Sequence, residues 1–396
     1  MKILNIFNHY VEKGGEAQAV EAISEALSQI SDLERCEFFS SDWIRSEAPA
    51  KWKQALWMIR NPESLRKLRG CERSFKSDVW LVHNVLPVGS TAIYPEAKRL
   101  GVPVIQYIHN FRPFSVNGYL WAGDRLAPGG LSKNYWQEIR HGAWQNSRGK
   151  TAWLALVLLL SHALGSWRGV KAWIAISDFM RQKFISAGVP PEKIFTLRHF
   201  WKPRSEERAN YGQHYLFLGR LTEAKGVNVL LDAWQILERK HGSSTPELII
   251  GGDGPLRSVV VARVERMQSV TYAGQLSGAA KTEALSKARA VVVPSIWWEA
   301  LGLVVYEAYD YSRPVLVARS GGLPEIVIHS ETGLLHDPGN ATQFAEQVME
   351  LESDAQQCQE MGRRGRTWLQ ANANESDWHR RFCEIAQYAM KSSAPH

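Results

Sequence analysis

Two glutamates, Glu299 and Glu307, stand eight residues apart in the segment Ser295-Ile296-Trp297-Trp298-Glu299-Ala300-Leu301-Gly302-Leu303-Val304-Val305-Tyr306-Glu307. Carboxylates accept hydrogen bonds from hydroxyl groups, and a glycine between them lets a ligand approach the backbone. The apolar run Ala290-Val291-Val292-Val293-Pro294 just before them predicts a buried parallel strand, and the uncharged residues from Leu301 predict the helix that follows. A helix starting near Gly302 and Leu303 aims free N–H groups and the positive end of its dipole at an anion. The chemistry suits a ligand that carries both phosphate and hydroxyls, bound in a strand-to-helix crevice with Glu299 at its mouth and Glu307 about two turns inside.

Spacing alone is not specific, because Glu352 and Glu360 are also eight apart, in a polar helical segment where both are expected to be solvated. A second segment separates the two pairs. Tyr215-Leu216-Phe217-Leu218-Gly219-Arg220-Leu221-Thr222-Glu223-Ala224-Lys225-Gly226 reads as strand and loop, followed by helical periodicity at Leu230, Leu231, Ala233, Trp234 and Leu237. Arg220 can fork onto phosphate oxygens and Lys225 can act as a point charge. A third strand, Leu248-Ile249-Ile250, ends in Gly251-Gly252-Asp253-Gly254-Pro255, and at Gly252 and Gly254 a ring or ribose could lie against bare backbone. The Gly-x-Gly lacks the third glycine of a dinucleotide fingerprint.

These elements need a scaffold. In the first half, Met1–Phe7 predicts a strand and Gly14-Gly15-Glu16 opens a helix with Ala19, Val20, Ile23 and Leu27 on one face. Residues 78–84 and 102–112 read as strands ending in polar residues, among them Asn84, His109 and Arg112. A length of 396 residues suits about two domains, and alternating strands and helices make both α/β. The polar stretch Lys202–Asn210 breaks the pattern, which places domains at 1–203 and 211–374, with the helical segment 375–396 packing back on the first.

Together the segments resemble the retaining family-4 glycosyltransferases (glycosyl transferases group 1) over nearly the whole chain. The resemblance rests on Gly219-Arg220-Leu221 with Lys225-Gly226, the turn Gly252-Asp253-Gly254-Pro255, the Glu299/Glu307 element, and Gly321-Gly322-Leu323-Pro324-Glu325 followed by Glu331-Thr332-Gly333-Leu334-Leu335. It implies the GT-B fold, two Rossmann-like doubly wound parallel-sheet domains facing a central cleft, and transfer of a sugar from a nucleoside diphosphate sugar to a saccharide or lipid-linked hydroxyl. By the same resemblance Arg220 and Lys225 hold the diphosphate, Glu307 the nucleotide ribose, and Glu299 and His109 the transferred sugar, while Arg112 and Asn84 line the acceptor side. Gly14, Gly15, Gly302 and Leu303 offer backbone to the diphosphate, and the base, UDP favoured over GDP, meets backbone near Gln275 and Leu276. The pattern departs from its relatives at Ala308-Tyr309-Asp310-Tyr311-Ser312, where small residues are usual, and this leaves the packing of that helix open.

Composition narrows the setting. Cys36, Cys71, Cys358 and Cys383 are scattered without Cys-x-x-Cys, against a disulfide framework or zinc site and in keeping with a reducing cytoplasm. The N-terminus enters a strand without a signal peptide's basic start and apolar core, so no export is expected. No Asp-x-Asp is present, so no metal or other cofactor is expected and Arg220, Lys225 and helix N-termini must offset the diphosphate charge. The formal net charge of +7 owes much to Lys51, Lys53, Arg60, Arg66, Lys67, Arg69, Arg73 and Lys76, interleaved with Trp52, Leu56, Trp57 and Met58. This is either a solvated helical face or a peripheral contact with an anionic membrane; no nucleic-acid partner is expected. Residues 152–164 are apolar all round but shorter than the ~20 needed to span a bilayer. A buried helix is the favoured reading, an interfacial one the alternative.

Three other activities fit parts of the pattern. A glycosidase would use the paired carboxylates but not the cationic loop. A nucleotide-sugar epimerase would share the architecture, and a non-catalytic binding scaffold would keep the pocket without turnover. Polysaccharide biosynthesis is the commonest setting among relatives.

Overall fold

The computed structural model describes residues 1–11, 14–204 and 212–392. Most of the stretch read as the linker, residues 205–211, lies outside them. The chain divides into two compact units, one built from Met1–Gly123, Ala127–His199 and the segment from Glu375, the other from Phe200–Asn374 with Asp124–Leu126.

The first unit is a six-stranded sheet in the order Asp32–Phe39, Lys2–His9, Val79–Val82, Val104–Ile108, Val170–Ala175, Ile194–Thr196. Every pairing is parallel. Parallel strands need crossovers, and the helices that make them cover both faces, so Val79–Val82 and Val104–Ile108 are buried along their whole length. The edge strand Asp32–Phe39 is mostly uncovered and carries the exposed Arg35–Glu21 pair. Charge on an edge discourages pairing with another chain. The C-terminal helix Glu375–Lys391 closes this unit: Trp378 stacks on Phe382 with centroids 5.3 Å apart and reaches the Tyr107 hydroxyl at 3.4 Å.

The helix Arg148–Ala163 corrects the favoured reading of residues 152–164 as buried. Ser147 caps its first turn, and Leu154, Ala155, Val157, Leu158 and Ser161 face the core. Leu156, Leu159 and Leu160 face outward instead, and the helix is half-buried.

In the second unit the order is Val270–Gly274, Glu247–Gly251, His214–Leu218, Ala288–Val293, Val315–Ala318, Gly333–His336, again all parallel. The periodicity read at Leu230, Leu231, Ala233, Trp234 and Leu237 is the buried face of the helix Val227–His241. Trp234 is fully buried with its indole N–H on the Pro246 carbonyl at 2.9 Å, so the ring is sequestered without stranding its donor. The helix Leu303–Asp310 accommodates the unusual bulk of Tyr309 by pairing it with Gly365. A Cβ at Gly365 would sit 2.4 Å from the Tyr309 ring, and the hydroxyl is held by Thr332 Oγ1 at 2.7 Å.

Candidate functional site

In the second unit the strand order reverses between His214–Leu218 and Ala288–Val293, and the loops leaving those two strands carry Arg220 with Lys225 and Ser295 with Glu299. Neighbouring strands whose crossovers run in opposite directions leave a crevice at their C-terminal ends. The two loops are joined by backbone hydrogen bonds from Ile296 and Trp297 N–H to the Ala224 carbonyl at 3.0 and 3.2 Å. Across the join, Lys225 Nζ donates to Glu299 Oε1 at 2.6 Å, and Ser295 Oγ donates to the same oxygen at 2.6 Å. The ammonium also lies 5.0 Å from the Trp297 ring centre.

Glu299 is buried, Lys225 partly open. Burial pushes the Glu299 carboxyl up, but the Lys225 charge and the hydrogen bonds from Lys225, Ser295 and Trp297 outweigh it, and the net position is below the ordinary carboxylate value. It is a fixed anion aimed by its neighbours. Its backbone is fixed too: Gly322 N–H donates to the Glu299 carbonyl at 2.7 Å, and Gly321, at φ +62°, has no room for a Cβ, which would lie 2.1 Å from that oxygen. Replacing Gly321 by alanine is therefore expected to displace Glu299 and lower stability by about 1–3 kcal/mol, read as a fall in the urea midpoint. An unchanged midpoint would show that the turn can relax.

Gly302 caps the helix Leu303–Asp310 at φ +97°, so the first free N–H groups begin at Leu303 as expected. Glu307 lies in the helix's second turn, about one turn inside rather than two. Lys281 Nζ bonds its Oε1 at 2.6 Å, a partner the motif does not contain. Gly252 and Gly254 have a packing reason to be bare backbone. Their missing side chains admit the loop after the first strand of this sheet: a Cβ would lie 1.8 Å from the Gly219 carbonyl and 2.6 Å from that of Leu221. Gln275 is exposed just after Val270–Gly274, and Leu276 packs against Gly251. Arg220 is exposed at the start of its loop.

The first unit holds a separate cluster. It surrounds a cavity of ≈ 20 Å³, room for about one water, lined by Glu16, Asn84, His83, His109, Asn110 and Arg112 among others. Here too the order reverses, between Lys2–His9 and Val79–Val82; the helix after the first of these supplies Glu16 from its first turn, and the loop after the second supplies Asn84. His109 Nε2 lies 2.9 Å from His83 Nδ1, and its ring is stacked between Tyr107 and His199 at 4.9 and 5.3 Å. Burial, reinforced by the neighbouring imidazoles, holds His109 well below the ordinary histidine value; burial likewise takes His83 down to about 3 and His199 to about 4. All three are neutral at pH 7. His109 Nδ1 has no hydrogen-bond partner among the described residues, which leaves one ring nitrogen to offer a hydroxyl.

Arg112 is clamped under Trp144, 4.8 Å from the ring centre, while Asn110 Nδ2 donates to Glu16 Oε2 at 2.8 Å. Burial raises the Glu16 carboxyl to about 7 despite the nearby Arg112 charge. Gly14 and Gly15 are exposed at the head of the helix Gly15–Ser28, and a Cβ on Gly14 would meet nothing within 4 Å. The fold does not require glycine there. Sequence reasoning assigned no site role to Glu16, His83, His199, Lys281 or Ser295; His83, His199 and Ser295 follow strands, while Glu16 and Lys281 sit in helices and carried no such signal. Among the described residues no three His, Cys, Asp or Glu side chains are grouped to hold a metal ion.

The control pair is not uniform. Glu360 is exposed beside Arg363 and Arg364, as expected of a solvated face. Glu352 is not solvated: it is paired with Arg289 and accepts the Tyr215 hydroxyl at 2.9 Å, because its helix Ala341–Ser353 packs that face on the core.

Residues 201–368 match the family model described as glycosyl transferases group 1. The glycogen synthase of Mycobacterium tuberculosis is 32% identical over 333 residues, 81% of this chain and 70% of that protein. The D-rhamnosyltransferase WbpZ of Pseudomonas aeruginosa is 31% identical over 180 residues, and this chain spans 44% of its length. The crystal structure of Anabaena HepE in complex with UDP superposes at a TM-score of 0.68 with 15% identity, covering 98% of this chain and all of that one, which supports the GT-B fold. With its two parallel-sheet units, its cationic loop beside the Glu299 element and a relative of this identity over this length, the chain belongs to the glycosyl transferases group 1 family.

Proposed function

We propose that the chain is a retaining glycosyltransferase that moves a hexosyl group from a nucleoside diphosphate sugar, UDP rather than GDP, to a hydroxyl of a saccharide or lipid-linked acceptor in polysaccharide assembly. The observation that carries this reading is the Lys225–Glu299 pair at the switch point, which sets a phosphate-seeking cation and a hydroxyl-seeking anion side by side above a helix N-terminus. Arg220 and Lys225 take the diphosphate and Leu303 N–H the phosphate nearest the sugar. Glu307 takes the ribose hydroxyls, Glu299 and the neutral His109 the sugar hydroxyls. The bond from the anomeric carbon to the phosphate oxygen breaks as the acceptor oxygen bonds to the same face, and the leaving phosphate takes the acceptor proton. The protein supplies position and charge.

A glycosidase needs a carboxyl held protonated near neutral pH beside its partner. Glu299 is held below the ordinary carboxylate value by Lys225 and its hydrogen bonds, so it does not fit that role. The UDP complex of the HepE neighbour favours the uridine nucleotide.

The test is a thermal-shift screen of nucleotide sugars, then turnover with the donor that binds, each with and without EDTA. A donor at a hundred times its dissociation constant stabilises by ~2.7 kcal/mol. Binding and nucleotide release are both expected to survive the chelator, since Arg220 and Lys225 are cations enough for a diphosphate. Activity lost in EDTA and restored by magnesium would overturn the metal-free reading; an epimeric nucleotide sugar formed without acceptor would overturn transfer.

A further inference from the structure

The outward face of the helix Arg148–Ala163 breaks the usual rule for a surface helix. Leu156, Leu159, Leu160, Ala163 and Leu164 follow one another at spacings of three, one, three and one, a single stripe, and all are exposed, Leu164 to 77%. A solvated stripe would carry polar side chains; a contiguous apolar one marks a surface that is covered in use. The neighbouring helix Lys51–Ile59 is bound to this one by the Trp153 indole N–H on the Ala55 carbonyl at 3.1 Å, and it turns Trp52, 63% exposed, outward. Trp136, 66% exposed, opens the short helix Trp136–Arg140, whose Ile139 packs on the same core cluster.

Charge decides what covers this face. The two longer helices contain Lys51, Lys53, Arg148 and Lys150 and no aspartate or glutamate, and among the described residues none of the four cations has an ion-pair partner. The C-terminal helix Glu375–Lys391, by contrast, mixes signs, with Arg380 and Arg381 beside Asp377 and Glu384. A second copy would bring the same uncompensated cations against these. An anionic lipid surface would neutralise them, accept the leucines among its acyl chains and place tryptophan at the headgroup level.

We propose that the leucine stripe of Arg148–Ala163, with Trp52 and the cations of the two helices, docks the first unit flat on an anionic bilayer. At 16 residues the helix is ~24 Å long, right for lying in the interface and too short to cross. No helix among the described residues is long and apolar enough to span a membrane. The inference stands apart from the transferase reading, because its test reads binding and no turnover.

The experiment is co-sedimentation of the full chain with extruded vesicles, either phosphatidylcholine alone or with 30% phosphatidylglycerol, in 0.1 M and 0.5 M salt. Wild type is expected to partition at least tenfold better onto the anionic vesicles at low salt. Leu159→Glu with Leu164→Glu should lower that partition at least tenfold at unchanged melting temperature, since both sites are exposed, and Leu164→Glu alone should lower it severalfold. Lys51, Lys53, Arg148 and Lys150 all changed to Gln should abolish the preference for anionic lipid. Arg363→Gln with Arg364→Gln, on a helix of the other unit, should change nothing. Wild-type partition by the double leucine variant would overturn the proposal. So would a concentration-dependent dimer that the leucine changes dissolve while neither form binds vesicles, which would assign the stripe to a second copy.

Discussion

Changing Lys225 to methionine is expected to lower stability by about 3 kcal/mol and turnover by more than a hundredfold, whereas Glu299→Gln should cost turnover ~10-fold to 100-fold and little stability. The asymmetry comes from burial. Removing Lys225 strands a carboxylate that is 5% exposed with only the Ser295 hydroxyl and neighbouring donors to hold it. Removing the charge of Glu299 frees an ammonium that is 29% exposed and can turn to water. The double variant Lys225→Met with Glu299→Gln should therefore regain most of the stability and none of the activity, a coupling that a double-mutant cycle reads directly from urea midpoints and nucleotide release. Wild-type turnover in a folded Glu299→Gln variant would remove Glu299 from the site. A double variant no more stable than Lys225→Met alone would show that the pair is not what holds the two loops.

The same experiment needs a matched control at another glutamate pair, and the structure leaves only half of it. Glu360→Gln should leave activity within twofold and stability within about 0.5 kcal/mol, as for most exposed sites. Glu352→Gln should lower stability by ~1–3 kcal/mol by loosening its bonds to Arg289 and the Tyr215 hydroxyl, yet leave turnover per folded molecule unchanged.

Glu352 shows where sequence reading stops. Spacing and polarity made it look like its neighbour Glu360, because the residues that bury it, Tyr215 and Arg289, lie more than sixty positions away. The strands were legible for the opposite reason. In a parallel sheet covered on both faces each central strand is a short, unbroken apolar run, and Val79–Val82, Val104–Ile108 and Ala288–Val293 announce themselves locally. The motif loops follow from those strands, so Arg220, Lys225, Glu299 and Glu307 were placeable on one crevice before any geometry was known.

Two kinds of information were not local. From residue 152 onward the helix Arg148–Ala163 reads as apolar all round, and such a sequence does not say which face the core takes; only the packing of Met58, Ile59 and Trp153 settles it. That the bare backbone at Gly252 and Gly254 admits Gly219 and Leu221 is likewise invisible in the sequence, since those neighbours lie more than thirty positions away. Gly14 has open space where its Cβ would be, so no packing need of this kind accounts for it.

The cluster around His109 implies a second large effect, a steep loss of stability on mild acidification. For a histidine whose folded-state value is depressed, the unfolded chain takes up protons below about pH 6.5 while the native state does not, so stability falls as pH drops toward the folded value. In the cluster His83 at about 3, His199 at about 4 and His109 well below the ordinary value have this sign, and outside it so do His336, at about 4 in the second unit, and His162 and His214, lowered by burial. Glu16 and Glu138, raised by burial to about 7, have the opposite one: native protonation precedes unfolded protonation, and they add stability as pH falls from about 7 to 4.5. At 1.36 kcal/mol per pH unit, His83, His199 and His336 against the two carboxyls leave a net loss on the order of 3 kcal/mol between pH 6.5 and 4.5, to which the other depressed imidazoles add in the same direction. That is a large part of the 5–15 kcal/mol a folded protein commonly has. Urea unfolding at pH 7, 5.5 and 4.5, followed by far-UV circular dichroism and by tryptophan fluorescence, should show the fall. Glu138→Gln should steepen it, because the compensating carboxyl is gone while its hydrogen bond from Ser115 is kept. Stability that stayed level over this range would mean that the stacked imidazoles take up protons in the native state, and His109 would then meet its ligand as a cation.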